Sequence, residues 1–286
     1  MSNQCVNPPS GPGVWIAYPT LLGGYANAAE RIRDLGFKVV YPRAGDGRYK
    51  DQNWTKQACE SLLNAGLEVY PWRYSRAGTL NWQGELDGYK QDLEWGVHGV
   101  VVDAEIHWQA QHNDEAHLFV DKLLDLECFV ADAPWPYIGY HSYPDAFGRL
   151  HARMPQLYWT EINPKGAKHN FDASEKQWTQ WESKKREEGR EYLIKPRWPI
   201  GVTYGNKELK KLGAGQCPGE FLLDDLMTFI DLNTSQPSTA SLEASVPPRL
   251  WSLYSLEAAS PLALEFLKER QKKSKETVLC ESRRVQ

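Results

Sequence analysis

The chain is short of most features that place a protein quickly. Its five cysteines, Cys5, Cys59, Cys128, Cys217 and Cys280, form no CxxC pair, and their number is odd. That pattern argues against a disulfide framework or a zinc knuckle and for free thiols in a reducing compartment. No apolar run approaches the roughly 18 residues that a membrane-spanning helix requires. The N-terminal stretch MSNQCVNPPSGPG is polar and lacks the apolar centre of a secretory leader, so a cytoplasmic product is expected. The net charge is −4 over 286 residues, with neither a basic stripe nor an acidic block. Nucleic acid and membrane are therefore not expected partners. GAGQCPG (213–219) lacks the GxxxxGK[ST] pattern of a phosphate loop and reads as an ordinary loop.

What the chain does have is aromatic side chains, 12 Trp and 14 Tyr. Part of that set belongs to a core, and the excess points to aromatic-lined recognition surfaces. It also has a steady alternation of short β-branched or aromatic runs with longer segments whose apolar residues recur every three to four positions and stop at Gly. The strand candidates are GVWIAYP (13–19), FKVVYP (37–42), LEVYPW (67–72), GVVVDAE (99–105), YIGYHSY (137–143), QLYWTEI (156–162), a segment within 193–204, and RLWSLYSL (249–256). The helix candidates are 26–36, 54–66, 84–96, 113–128, a short piece around DAFGRLHARM, 174–189, 219–232 and 261–273. Eight strand-then-helix units over about 260 residues match a single (β/α)8 barrel of the TIM type. A doubly wound open sheet is the competing architecture.

The expected layout is a polar arm over 1–12, the barrel over 13–270 and a charged tail over 271–286. TSQPSTASLEASVPP (234–248) reads as a long loop before the last strand. Tyr-Pro recurs at Tyr18-Pro19, Tyr41-Pro42, Tyr70-Pro71 and Tyr143-Pro144. Proline gives no N–H to a ladder, so each pair reads as the end of a strand.

The informative stretch is GVVVDAEIHW (99–108). Residues two apart on a strand share a face. Val101, Asp103 and Glu105 therefore point one way, and Val100, Val102 and Ala104 point the other. The apolar set belongs against helices, which sends both acids toward the barrel axis at the C-terminal end, where barrel active sites lie. Two carboxylates about 6–7 Å apart along one strand repel if both ionise. The more buried one then keeps its proton near neutrality, and a neutral carboxyl is a general acid. A proton donor beside an anion is the equipment of glycoside cleavage. Aromatic residues at or near the strand ends, among them Tyr18, Trp72, Tyr158 and Tyr254, supply rings for sugars to pack on.

The segment HGVVVDAE resembles the DGxDxDxE signature on the fourth strand of family 18 chitinases. Gly99, Asp103 and Glu105 match, while His98 and Val101 stand where that family has aspartates. It also resembles the DxE on the fourth strand of family 25 lysozymes, although GVWIAYP carries no first-strand aspartate of the kind that family usually has. The resemblance implies that Glu105 donates the proton, that Asp103 orients an N-acetyl group or stabilises charge, and that Tyr158 corresponds to the sixth-strand tyrosine of the chitinases.

The resulting expectation is a glycoside hydrolase, lysozyme- or chitinase-like, acting on a polysaccharide of peptidoglycan or chitin type. Glu105 and Asp103 are the catalytic pair, and Tyr41, Arg43, Trp72, Tyr140, His141, Tyr158, Trp159 and Trp251 are the substrate contacts. No cofactor is assigned. A metal held by Asp103, Glu105, His107 and His141 is disfavoured, because alternate residues spread three ligands over about 13 Å of strand. A cell-wall-type motif without a leader suits a phage-encoded lysis or tail enzyme in the host cytoplasm or the virion. Two other readings compete. One is a structural acid pair bonded to Arg43 or Arg73. The other is a non-catalytic carbohydrate-binding or virion structural protein on a degenerate barrel.

Overall fold

The computed structural model describes residues 7–108, 112–138, 143–161, 165–212, 218–235 and 250–284. Its strands are β1 (Gly13–Ile16), β2 (Val39–Asp46), β3 (Tyr49–Lys50), β4 (Glu68–Val69), β5 (Trp72–Ser75), β6 (Gly99–Ala104), β7 (Phe129–Asp132), β8 (Ala152–Arg153), β9 (Ile200–Val202) and β10 (Ser252–Tyr254). Its helices are α1 (Tyr25–Asp34), α2 (Lys56–Asn64), α3 (Thr79–Glu94), α4 (Asn113–Leu124), α5 (Ala167–Glu187), α6 (Asn206–Leu212), α7 (Leu223–Ser235) and α8 (Pro261–Arg284). No helix among the described residues is long and apolar enough to cross a membrane. The charged stretch from 271 continues α8 rather than starting a separate segment.

The sheet runs β8-β7-β6-β5-β2-β1-β10-β9, parallel along that path, with β4 also parallel to β2 and the two-residue β3 antiparallel to the end of β2. Its two ends meet. Arg153 bridges Arg197 and Gln156 bridges Ile200 in parallel. Across that seam Trp198 N–H donates to Arg153 O at 2.7 Å, and Leu157 N–H donates to Ile200 O at 2.8 Å. With β4 and β5 counted as one interrupted strand, eight strands close on themselves and the helices lie outside, a (β/α)8 barrel. Closure leaves no free edge, which removes the hazard of an exposed strand.

Three readings of the sequence change. The fifth strand is Phe129–Asp132, all four residues buried, and not 137–143. The helix before it ends earlier than its apolar spacing implied, with Glu127 in the left-handed region at φ 53°. Of the aromatic run that resembled a strand, the described residues Tyr137, Ile138 and Tyr143 lie outside the strands, and Tyr143 OH donates to Asp132 Oδ2 at 2.5 Å. The sixth strand is Ala152–Arg153, and QLYW follows its end. Both misreadings have one cause: loops that cap a barrel mouth bury aromatic residues as strands do. Tyr-Pro closes a strand only at Pro19, the first residue of a 3-10 turn. Pro42 lies within β2, and Pro71 merely interrupts the third strand, since its carbonyl still accepts from Val101 N–H at 2.9 Å.

Side-chain parity sorts the core into two layers. Inside the ring, Trp15, Tyr41, Tyr70, Trp72, Val101, Phe129, Met154 and Trp198 pack together, with Trp15 stacked on Tyr41 at 4.9 Å. The Trp15 indole N–H finds a partner in Ser252 Oγ at 2.8 Å. Between ring and helices, Val100, Val102 and Ala104 pack with Phe119 and Leu123 of α4.

Charged residues are also sealed behind the strands, among them Arg73 and Asp92. Arg73, 1% exposed, donates to Asp92 Oδ2 of α3 at 2.7 Å and to Ala44 O of β2 at 3.0 Å. Trp54 Nε1 donates to the other Asp92 oxygen at 2.8 Å. The guanidinium lies so close to α3 that a Cβ at Gly88 would stand 2.5 Å from Arg73 Cζ. That contact accounts for a mid-helix glycine that costs about 1 kcal/mol in propensity. Asp92→Ala leaves the guanidinium buried without its counter-charge. The expected loss in urea unfolding is about 3–5 kcal/mol. Arg73→Met with Asp92→Leu removes both charges and is expected to lose less than that single substitution; a larger loss would show that packing, not charge, dominates there.

Candidate active site

The fourth strand of the ring, β6, is buried over its whole length, as the run of valines demands. Because Val100, Val102 and Ala104 face the helices, Asp103 must face the axis. Glu105, one residue past the strand, follows the same parity at the rim. Asp103 is 7% exposed and Glu105 is half-buried. One side chain from across the mouth joins them. Gln156, at the β8–β9 seam, donates from Nε2 to Asp103 Oδ1 at 2.7 Å and to Glu105 Oε1 at 2.9 Å, and lies 2.8 Å from Ala133 O. Both carboxyl groups thus sit within hydrogen-bond reach of a single nitrogen.

These residues line a cavity of about 530 Å³ at the C-terminal ends of the strands. Its aromatic walls are Trp15, Tyr18, Trp72, Tyr74, Tyr158, Tyr204 and Tyr254. Tyr158 stacks on Tyr254 at 5.2 Å with 19° between planes, and Tyr18 stands half-exposed at the lip. Polar groups ring the same space. Tyr204 OH donates to Glu161. Glu257 Oε1 accepts from Ala17 N–H at 2.8 Å and Tyr18 N–H at 2.9 Å, which ties the end of β10 to the end of β1.

Burial and mutual repulsion set the protonation of the pair. Asp103 is pushed well above the ordinary carboxylate range, first by loss of solvent and then by the Glu105 charge. Loss of solvent also raises Glu105, while contacts with Gln156, Trp135 and Tyr74 pull it back. The deeper acid is therefore the one that holds a proton longest. Burial likewise raises Glu161 and Glu257.

The competing structural account tied the pair to an arginine. Arg73 faces the helices and is held by Asp92 and Ala44 O. Arg43 lines the cavity but lies over the Trp72 ring at 5.7 Å, with Asp46 as its nearest ion-pair partner at 4.0 Å. His107 is drawn away from the acids, its Nε2 lying 3.0 Å from Arg76. Among the described residues no group of three ligating side chains could hold a metal ion.

Of the expected substrate contacts, Arg43, Trp72 and Tyr158 line the cavity. Tyr41 does not. It sits one pleat below Arg43, 2% exposed, inside the packed floor. Trp159 and Trp251 are corrected by parity. Gln156 and Tyr158 face the cavity, so Trp159 faces α7 and packs on Phe229 at 5.4 Å. Ser252 and Tyr254 face inward, so Trp251 faces outward against Phe37 and Phe229. Tyr140 and His141 lie outside the described residues, as does most of 213–219. The sequence reading missed Gln156, Tyr74, Arg76, Asp46, Glu161, Tyr204 and Glu257 as cavity residues. Gln156 was reachable, since it shares a face with Tyr158 two positions on. Tyr74 needed the third strand to run past Trp72. Asp46 needed the second strand to run past Pro42, and the others sit beyond strand ends, where no period applies.

No protein-family model and no curated protein sequence matches the chain. Solved structures do. A class V chitinase from Pseudomonas fluorescens superposes with a TM-score of 0.57 at 10% identity, covering 91% of this chain and 99% of that one. A proposed alpha-L-fucosidase from Bacteroides thetaiotaomicron gives 0.57 at 11% identity, over 96% and 98% of the two chains. A protein from Cytophaga hutchinsonii gives 0.51 at 11% identity, over 96% and 94%. At that identity the likeness is one of architecture, and this chain has the (β/α)8 fold that the chitinase barrel also has.

Proposed function

We propose that the protein cleaves a polysaccharide bearing N-acetylated sugars, of peptidoglycan or chitin type, by carboxylate acid catalysis. The observation that carries the reading is the acid pair itself: two carboxyl groups on one amide nitrogen, opening into an aromatic-walled cavity at the barrel mouth. The resemblance of HGVVVDAE to the fourth-strand motif of chitinases and lysozymes supports it, and so does the glycosidase-type barrel.

In this reading Glu105, nearer the open space, gives its proton to the glycosidic oxygen. The bond from the anomeric carbon to that oxygen breaks, and its electron pair leaves with the oxygen. The single proton of the pair, held on Asp103 at rest, passes to Glu105 as Glu105 protonates the oxygen, so positive charge develops on the sugar beside an Asp103 carboxylate. Water adds its oxygen to the anomeric carbon and returns a proton to Glu105. Gln156 acts as a positioning residue, holding both acids in one geometry. Trp72, Tyr158 and Tyr254 provide faces for the rings of the substrate.

Glu105→Gln is expected to lower turnover of peptidoglycan or of chitin oligomers by about 10²–10⁴-fold while leaving the fold intact. Activity that survives the substitution would remove Glu105 as the acid. Sugar binding without turnover in the unsubstituted protein would favour a binding module. The pH profile is a separate check. The active form keeps one proton on the pair, so kcat/KM should fall only as that last proton leaves, at a pH above the ordinary carboxylate range. Asp103→Asn removes the repulsion that raises this last ionisation, so the alkaline limb should move to lower pH. A limb that stays where it was after that substitution would show that the two acids do not titrate together.

A further inference from the structure

The cavity is electrically lopsided, and the imbalance bears on what kind of saccharide enters it. Arg43, Asp46 and Arg76 line it from the ends of β2 and β5, Asp103 and Glu105 from the neighbouring β6, and Glu161 and Glu257 from beyond β8 and β10. Arg43 and Arg76 are the cations among the described lining residues. Their situations differ. Arg76 is engaged: its Nε and NH2 both donate to Asp46, and its NH1 lies 3.0 Å from His107 Nε2. Asp46 therefore has both oxygens occupied. Arg43 NH2 stands 4.0 Å from Asp46 Oδ2, beyond hydrogen-bond length, and its Nε is buried with no partner. Two guanidinium groups thus share one carboxylate, Asp46, whose oxygens are taken by Arg76.

The backbone presents Arg43 there. β2 pairs with β5 through Arg43↔Trp72, then slips register before Gly45. An irregularity of this kind commonly re-aims a side chain beside a functional site. The guanidinium lies over the Trp72 ring, which fixes its plane without consuming its donors. Arg43 stands two strands from the acid-bearing β6, about 10 Å across the sheet at the usual strand spacing. A group bound at Arg43 would thus belong to the same saccharide as the bond at Glu105, but not to the reacting atoms.

We propose that Arg43 forms an anion subsite of this cleft, so that the protein takes a saccharide carrying a carboxylate on a sugar ring or on a short arm from it. The inference rests on the polysaccharide-cleaving reading and narrows it: a neutral N-acetylated polymer leaves Arg43 unused. The fork of a guanidinium fits a carboxylate bidentately.

The test is equilibrium binding in the Glu105→Gln protein, which does not turn the ligand over. Three probes are compared: peptide-stripped glycan strands of alternating N-acetylglucosamine and N-acetylmuramic acid, heparosan oligosaccharides with a ring carboxylate, and neutral chitohexaose. One acidic probe is expected to bind about tenfold or more tighter than chitohexaose, with an advantage that shrinks as ionic strength rises. Preference for the muramyl strands assigns the carboxylate to a lactyl arm, and preference for heparosan assigns it to the ring. Adding Arg43→Gln should bring the ratio close to one. Arg43→Lys, which keeps the charge but not the fork, should retain part of it. Chitohexaose binding as tightly as both acidic probes overturns the proposal, as does a preference that persists in folded Arg43→Gln or the binding of none of the three. The two readings fail separately. An acidic preference without any cleavage refutes the acid assignment, whereas cleavage of chitin oligomers through Glu105 without that preference refutes the subsite.

Discussion

The hydrogen bonds of one amide nitrogen organise the mouth of this barrel. Gln156 Nε2 has two hydrogens and three oxygens around it, from Asp103, Glu105 and Ala133. It cannot satisfy two full carboxylates and a carbonyl at once. The arrangement balances when a proton rests on the acid pair, which is also what burial of Asp103 and the closeness of Glu105 demand. The residue sits at the seam where the ring closes, bridging Ile200. Closure of the barrel therefore goes with the seating of Gln156 on the acid pair.

Around that point the fold divides its charges by location. Arg73 and Asp92 lie in the dry layer behind the strands, where they hold α3 to β5 and do not reach the cavity. Arg43 and Arg76 lie at the mouth, within the lining. Neighbouring positions on one strand, Trp72 and Arg73, thus serve opposite layers, the first as cavity wall and the second as a clamp for a helix. The same alternation that makes the barrel pack also keeps the Arg73–Asp92 ion pair apart from the carboxyl groups of Asp103 and Glu105.

The sequence was most legible where a strict period held. On β6 a single rule, alternation of faces, was enough to send Val100, Val102 and Ala104 to α4 and Asp103 to the axis. The amphipathic segments likewise marked α1, α2 and α7 within a few residues, and the starts of α4 and α8. Legibility failed at the fifth and sixth strands. Phe129–Asp132 is too short to show a period, and the aromatic spacing of 137–143 in the sequence mimics one. It failed again at Trp159 and Trp251, where a correct neighbourhood was joined to the wrong face.

By itself, then, the amino-acid order determined the alternating plan, the inward direction of the fourth-strand acids and the aromatic character of the walls. These follow from local periodicity, which each segment carries alone. Only the tertiary structure decided that Gln156 meets Asp103 and Glu105 across 53 and 51 positions of chain, that Arg43 stays uncommitted while Arg76 is taken, and which aromatic rings see the cavity. Those facts depend on strand register and on closure of the ring, which bring distant segments into contact and leave no local pattern in the residues involved.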